Sequence, residues 1–72
     1  MNRKEKIFQY LSEYARIQTD SGFGPEADSG YIAERLGLDR SNVSRDLNEL
    51  AREGLTVKLD GRPVKFVPAE FY

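Results

Sequence analysis

The sequence predicts an α+β fold, three helices followed by a two-stranded β-hairpin. Three observations carry that expectation. Apolar residues recur at helical spacing in three separate stretches before Gly54. The period then changes to alternation through Leu55, Val57 and Leu59. Asp60-Gly61 and Pro63 follow, the punctuation of a tight hairpin and the start of its returning strand.

The first helix is expected over residues 3–17, where Ile7, Leu11, Tyr14 and Ala15 share a face that Phe8 widens. Residues 18–29 read as a loop. Two glycines and a proline break any period there, and Phe23 is a candidate to pack back onto the core. Asp28 or Ser29 can cap a second helix over residues 30–36, whose inner face is Ile32, Ala33 and Leu36. Gly37 allows a sharp turn, Leu38 fills the junction, and Asp39 caps a third helix over residues 40–53. That helix buries Val43, Leu47, Leu50 and Ala51 and stops at Gly54. A wing over residues 55–67 completes the chain. Leu55, Val57 and Leu59 are expected to point one way on its outgoing strand, with Thr56 and Lys58 the other. Val64 and Phe66 are expected inward on the return, with Lys65 outside. Three helices and such a hairpin make a single winged helix-turn-helix domain spanning residues 1–72.

Composition narrows the chemistry. The 72 residues contain no cysteine and no histidine, so disulfides, the commonest zinc ligands and the usual general base are missing. The acids of the 18–29 loop, Asp20, Glu26 and Asp28, lack the spacing of a calcium loop. No nucleophile meets a base and no glycine-rich phosphate loop opens a helix, so neither an enzyme nor a cofactor is expected. Stability has to come from apolar burial, roughly 1.5–3 kcal/mol for each fully buried large side chain. The basic start, Met1 to Lys6, precedes no apolar run, so neither a signal peptide nor a membrane span is expected and the cytoplasm is the expected location.

The net charge of −1 conceals an uneven distribution. Residues 1–39 hold five Lys/Arg against seven Asp/Glu. Residues 40–65 hold Arg40, Arg45, Arg52, Lys58, Arg62 and Lys65 against Asp46, Glu49, Glu53 and Asp60. A binding face responds to that local excess rather than to the sum.

The third helix carries the sharpest chemistry. Arg40, Ser41, Asn42, Ser44, Arg45 and Asn48 lie off its apolar stripe. Arginine donates twice to guanine, asparagine pairs with adenine through both amide groups, and serine makes short contacts to bases or phosphates. A helix that merely faced water would favour Lys, Glu and Gln, since Ser and Asn are poorer helix formers. On the wing, Lys58, Arg62 and Lys65 form a basic tip. Arg62 and Lys65 suit backbone phosphates or the minor groove, and they equally suit the protection of an edge strand from aggregation. Lys4 and Lys6 can touch phosphates or simply aid solubility.

Residues 32–38, the run Arg40-Ser41-Asn42-Val43-Ser44-Arg45-Asp46-Leu47-Asn48-Glu49-Leu50 and Gly54 resemble bacterial winged helix-turn-helix domains. With Gly61-Arg62-Pro63-Val64 added, the chain resembles the amino-terminal domain of LevR-type transcriptional activators. The similarity runs from about Tyr31 to Val67. It implies sequence-specific binding of double-stranded DNA, with the third helix as recognition helix and Arg40, Ser41, Asn42, Ser44, Arg45 and Asn48 facing the duplex. It also implies a larger regulator in which an ATPase module and phosphotransferase-system domains follow. The 18–29 loop is long and acidic for this pattern, and no ATPase module lies within these residues.

A winged helix used for protein contact is the alternative, suited by the acidic first half and by Phe71-Tyr72. Single-strand or RNA binding would call for aromatics on the basic face, and the third helix offers none there. No long heptad helix drives pairing, so weak self-association is expected.

Overall fold

The computed structural model describes all 72 residues. The order is α1 (Arg3–Asp20), β1 (Ala27–Asp28), α2 (Ser29–Leu36), α3 (Arg40–Arg52), β2 (Thr56–Leu59), β3 (Lys65–Pro68) and a closing 3-10 turn (Ala69–Phe71). Asn2 starts α1 with a capping box: its side chain accepts from Glu5 N, and Glu5 accepts from Asn2 N in return. Asp28 caps α2 by accepting from Tyr31 N at 2.7 Å, and Asp39 caps α3 by accepting from Ser41 N at 2.8 Å.

All three helices end in the same way. Gly22, Gly37 and Gly54 have φ of 86°, 67° and 81°, a region closed to most side chains. In each case the N–H of the next residue reaches back to close the helix: Phe23 to Gln18 O at 2.7 Å, Leu38 to Ala33 O at 2.9 Å, Leu55 to Leu50 O at 2.9 Å. The helices are therefore cut to length by their own sequence.

One core cluster joins the elements: Ile7 and Leu11 of α1, Ala27 of β1, Ile32 and Ala33 of α2, Val43, Leu47 and Leu50 of α3, and Phe66 of β3. Phe8, Tyr10, Tyr14, Leu36 and Leu38 pack around it. This α+β arrangement is compatible with a winged helix.

The structure departs from the sequence reading in several places. The sheet has three strands rather than two, in the order β1-β3-β2 and antiparallel throughout. The extra strand lies inside the 18–29 stretch read as a loop; Ala27 pairs with Phe66 and Asp28 with Lys65. α1 runs three residues past 17, α2 begins at Ser29, and α3 stops at Arg52. Phe23 does not pack back on the core but is 66% exposed, since the turn after Gly22 carries it outward.

The wing differs most. Asp60-Gly61 is not a two-residue turn: pairing stops after Leu59 and resumes at Lys65, leaving a loop of residues 60–64. Pro63 has no N–H to give the ladder, which delays the return strand and leaves Val64 exposed. On the outgoing strand the polar residue is the one taken inside. Thr56 is buried and Leu55 is exposed, because the Thr56 hydroxyl donates to Leu47 O of α3 at 3.3 Å. A satisfied hydroxyl can sit inside.

Candidate nucleic-acid interface

Helix α3 sorts its side chains by charge. Val43, Leu47 and Leu50 occupy the core, and Ala51, expected among them, is only half-buried at the margin. The ridge Asn42, Asp46, Glu49 and Glu53, at steps of four, three and four, runs along one flank. Its acids meet α1. Arg3 grips Asp46 with Nε at 2.6 Å from Oδ2 and Nη2 at 3.1 Å from Oδ1. Lys4 Nζ lies 2.6 Å from Glu53 and 3.7 Å from Glu49. Donating to Asp46 raises the Arg3 pKa, and donating to Glu53 raises that of Lys4; partial desolvation opposes both shifts.

The adjacent ridge, one residue earlier at every position, repeats the spacing with different chemistry. Ser41, Arg45, Asn48 and Arg52 follow one another at steps of four, three and four, and all but the half-buried Asn48 are exposed. The three ion-pair contacts of the molecule all join α1 to the acidic ridge, so Arg45 and Arg52 are left without a carboxylate partner. The result is a helix with its negative charges held on one flank and two of its three arginines, Arg45 and Arg52, free on the exposed ridge.

The residues named from the sequence do not all converge. Ser41, Arg45 and Asn48 stand together on the exposed ridge. Asn42 is placed on the acidic ridge, a turn from Asp46. Arg40 and Ser44 border a cleft of about 520 Å³ that Ser41 also lines, between the start of α2 at Asp28 and Ser29 and the wing loop at Pro63 and Val64. A Cβ on Gly30 would lie 3.5 Å from Arg40 Nε, so the guanidinium rests across the first turn of α2.

The wing bases are divided. Strand alternation puts Lys58 on the same face as Thr56, toward α3, whereas Lys65 pairs with Leu59 and Asp28 on the other face. Arg62 is exposed in the loop between them. They do not make one basic tip.

Two features escaped the sequence reading. Arg52 completes the exposed ridge and was recognisable as the residue four beyond Asn48. Asp46 sits among Val43, Leu47 and Leu50, and its place on an apolar stripe was the sign that a cation from elsewhere had to meet it.

The fold and this ridge define a small α+β domain with an exposed polar and basic helix beside a three-stranded sheet. The chain is 46% identical over 72 residues to the transcriptional regulatory protein LevR of Bacillus subtilis, covering 97% of this chain and 8% of LevR. It is 43% identical over 53 residues to the transcriptional regulatory protein DagR of Salmonella typhimurium, covering 74% of this chain and 5% of DagR. Nearly the whole chain is thus similar to a short segment of LevR-like regulators, and it spans less than a tenth of the length of these relatives. No family model and no solved structure matches it. No helix is long and apolar enough to cross a membrane.

Proposed function

We propose that this chain is the DNA-binding domain of a transcriptional regulator, with α3 in the major groove and the wing beside the sugar-phosphate backbone. The charge sorting on α3 carries the reading. The acids and the exposed bases of α3 lie on separate ridges, a segregation that facing water alone does not require; with Asp46, Glu49 and Glu53 held by Arg3 and Lys4, a polyanion approaching Ser41, Arg45, Asn48 and Arg52 meets two unpaired arginines first. The names of the two relatives support the regulatory role. By the same likeness, the further domains of a larger regulator are the natural partners of this chain.

A protein-contact role has one observation in its favour, a groove of about 330 Å³ between Phe8, Leu55, Pro68 and Ala69, beside which Leu55 is 44% exposed. Salt separates the two readings. Binding to labelled duplexes, measured by fluorescence anisotropy at rising salt, should weaken steeply, as counterion release demands. Failure to bind any duplex at low salt would remove the DNA reading.

A further inference from the structure

The sequence offers two asparagines on α3 as equal candidates for pairing with adenine, and the structure distinguishes them. Asn48 Nδ2 donates to the backbone carbonyl of Ser44 at 2.9 Å. Turning the amide over would set Oδ1 against that carbonyl, two acceptors face to face, so the chemistry fixes which end is which. One amide hydrogen is spent on Ser44, and the other hydrogen and Oδ1 remain. That is the donor and acceptor set that matches N7 and N6 of adenine in the major groove. The side chain is also already ordered, so less rotamer freedom is lost when it meets a base. Arg45 and Arg52 flank it on the exposed ridge, three residues before and four after. Asn42 has none of this. It shares its ridge with Asp46, Glu49 and Glu53, on the flank that α1 covers with Arg3 and Lys4.

We infer that Asn48, held by the Ser44 carbonyl, is the residue that selects an A·T pair, and that Asn42 is not. The inference rests on the proposed placement of α3 in a major groove.

The test is selection of bound sequences from a random duplex pool by the 72-residue chain and by three variants, each first shown by circular dichroism to fold. The wild type should yield a motif with a preferred adenine. Asn48→Ala should lose that preference at one position, a discrimination of roughly 5- to 150-fold, with the other positions intact. Asn48→Asp keeps an acceptor and loses the donor, so its preference should move from adenine to cytosine, whose exocyclic amine is a donor. Asn42→Ala should return the wild-type motif. An unchanged motif from Asn48→Ala, or loss of the adenine from Asn42→Ala, overturns the assignment while leaving DNA binding in place. A wild type that binds no duplex overturns the DNA reading and this inference with it.

Discussion

The Arg3 guanidinium, at the first residue of α1, holds both carboxylate oxygens of Asp46 in the middle of α3, 43 residues away in the chain. Asp46 is 4% exposed and Arg3 remains open to water, so the two ends of the contact are not equivalent. The cation can be hydrated without its partner, whereas the carboxylate cannot. The contact thereby fixes how α3 is rotated against α1, and with it which ridge faces outward.

Arg3→Ala is therefore expected to destabilise the domain, with Tm lower by about 4–8 °C in a chain of this size. Asp46→Leu, which removes the buried charge and restores an apolar residue to the stripe, should cost less. Thermal melts followed by circular dichroism compare the two, and the reverse order would show that the carboxylate is not dependent on Arg3.

Arg45 and Arg52 should separate in a binding assay. Arg45 lies mid-helix beside Asn48, and Arg45→Ala should cost about 1–3 kcal/mol at one base pair and relax the preference there. Arg52 ends the ridge, and Arg52→Ala should weaken binding to all sequences alike, reducing the slope of log affinity against log salt by about one unit. Uniform weakening by Arg45→Ala would reassign it to a phosphate.

Thr56→Val tests the tie between α3 and the wing. It keeps the shape and removes the hydroxyl that donates to Leu47 O. Unfolding free energy from urea titration should fall by about 0.5–1.5 kcal/mol. A gain in stability would mean that the apolar side chain suits this buried position better than the bonded one.

The domain should lose stability in alkali. Burial is the leading cause that raises the pKa of Tyr10 and Tyr14, and donation to Glu53 raises that of Lys4. Each group holds its proton more tightly folded than unfolded. Their contribution is complete below pH about 10 and is lost as pH rises through the raised values. Tm measured across this range should decline, and Tyr14→Phe should flatten the decline. Phenolate absorbance that develops at the ordinary tyrosine range in the folded chain would contradict it.

Much of this was legible in the sequence because its cues are local. Helical periods and the glycines at 37 and 54 delimit α2 and α3 without reference to the rest of the fold. β1 was not legible, since two residues carry no period and Ala27 becomes a strand only by lying against Phe66. Which face of β2 turns inward was not legible for a similar reason: a buried threonine depends on a carbonyl of α3 that no strand pattern reveals. For the candidate site, residue types were readable but their grouping was not. Asn42 and Asn48 look alike until the docking of α1 assigns one of them to each flank.

Asp28 belongs to two elements at once, pairing with Lys65 as the end of β1 and capping α2 through Tyr31 N. The sheet and the second helix therefore share a hinge pin with no slack. A load applied at β3 reaches the first turn of α2 through this residue, so a tilt of the wing levers the helix that precedes α3.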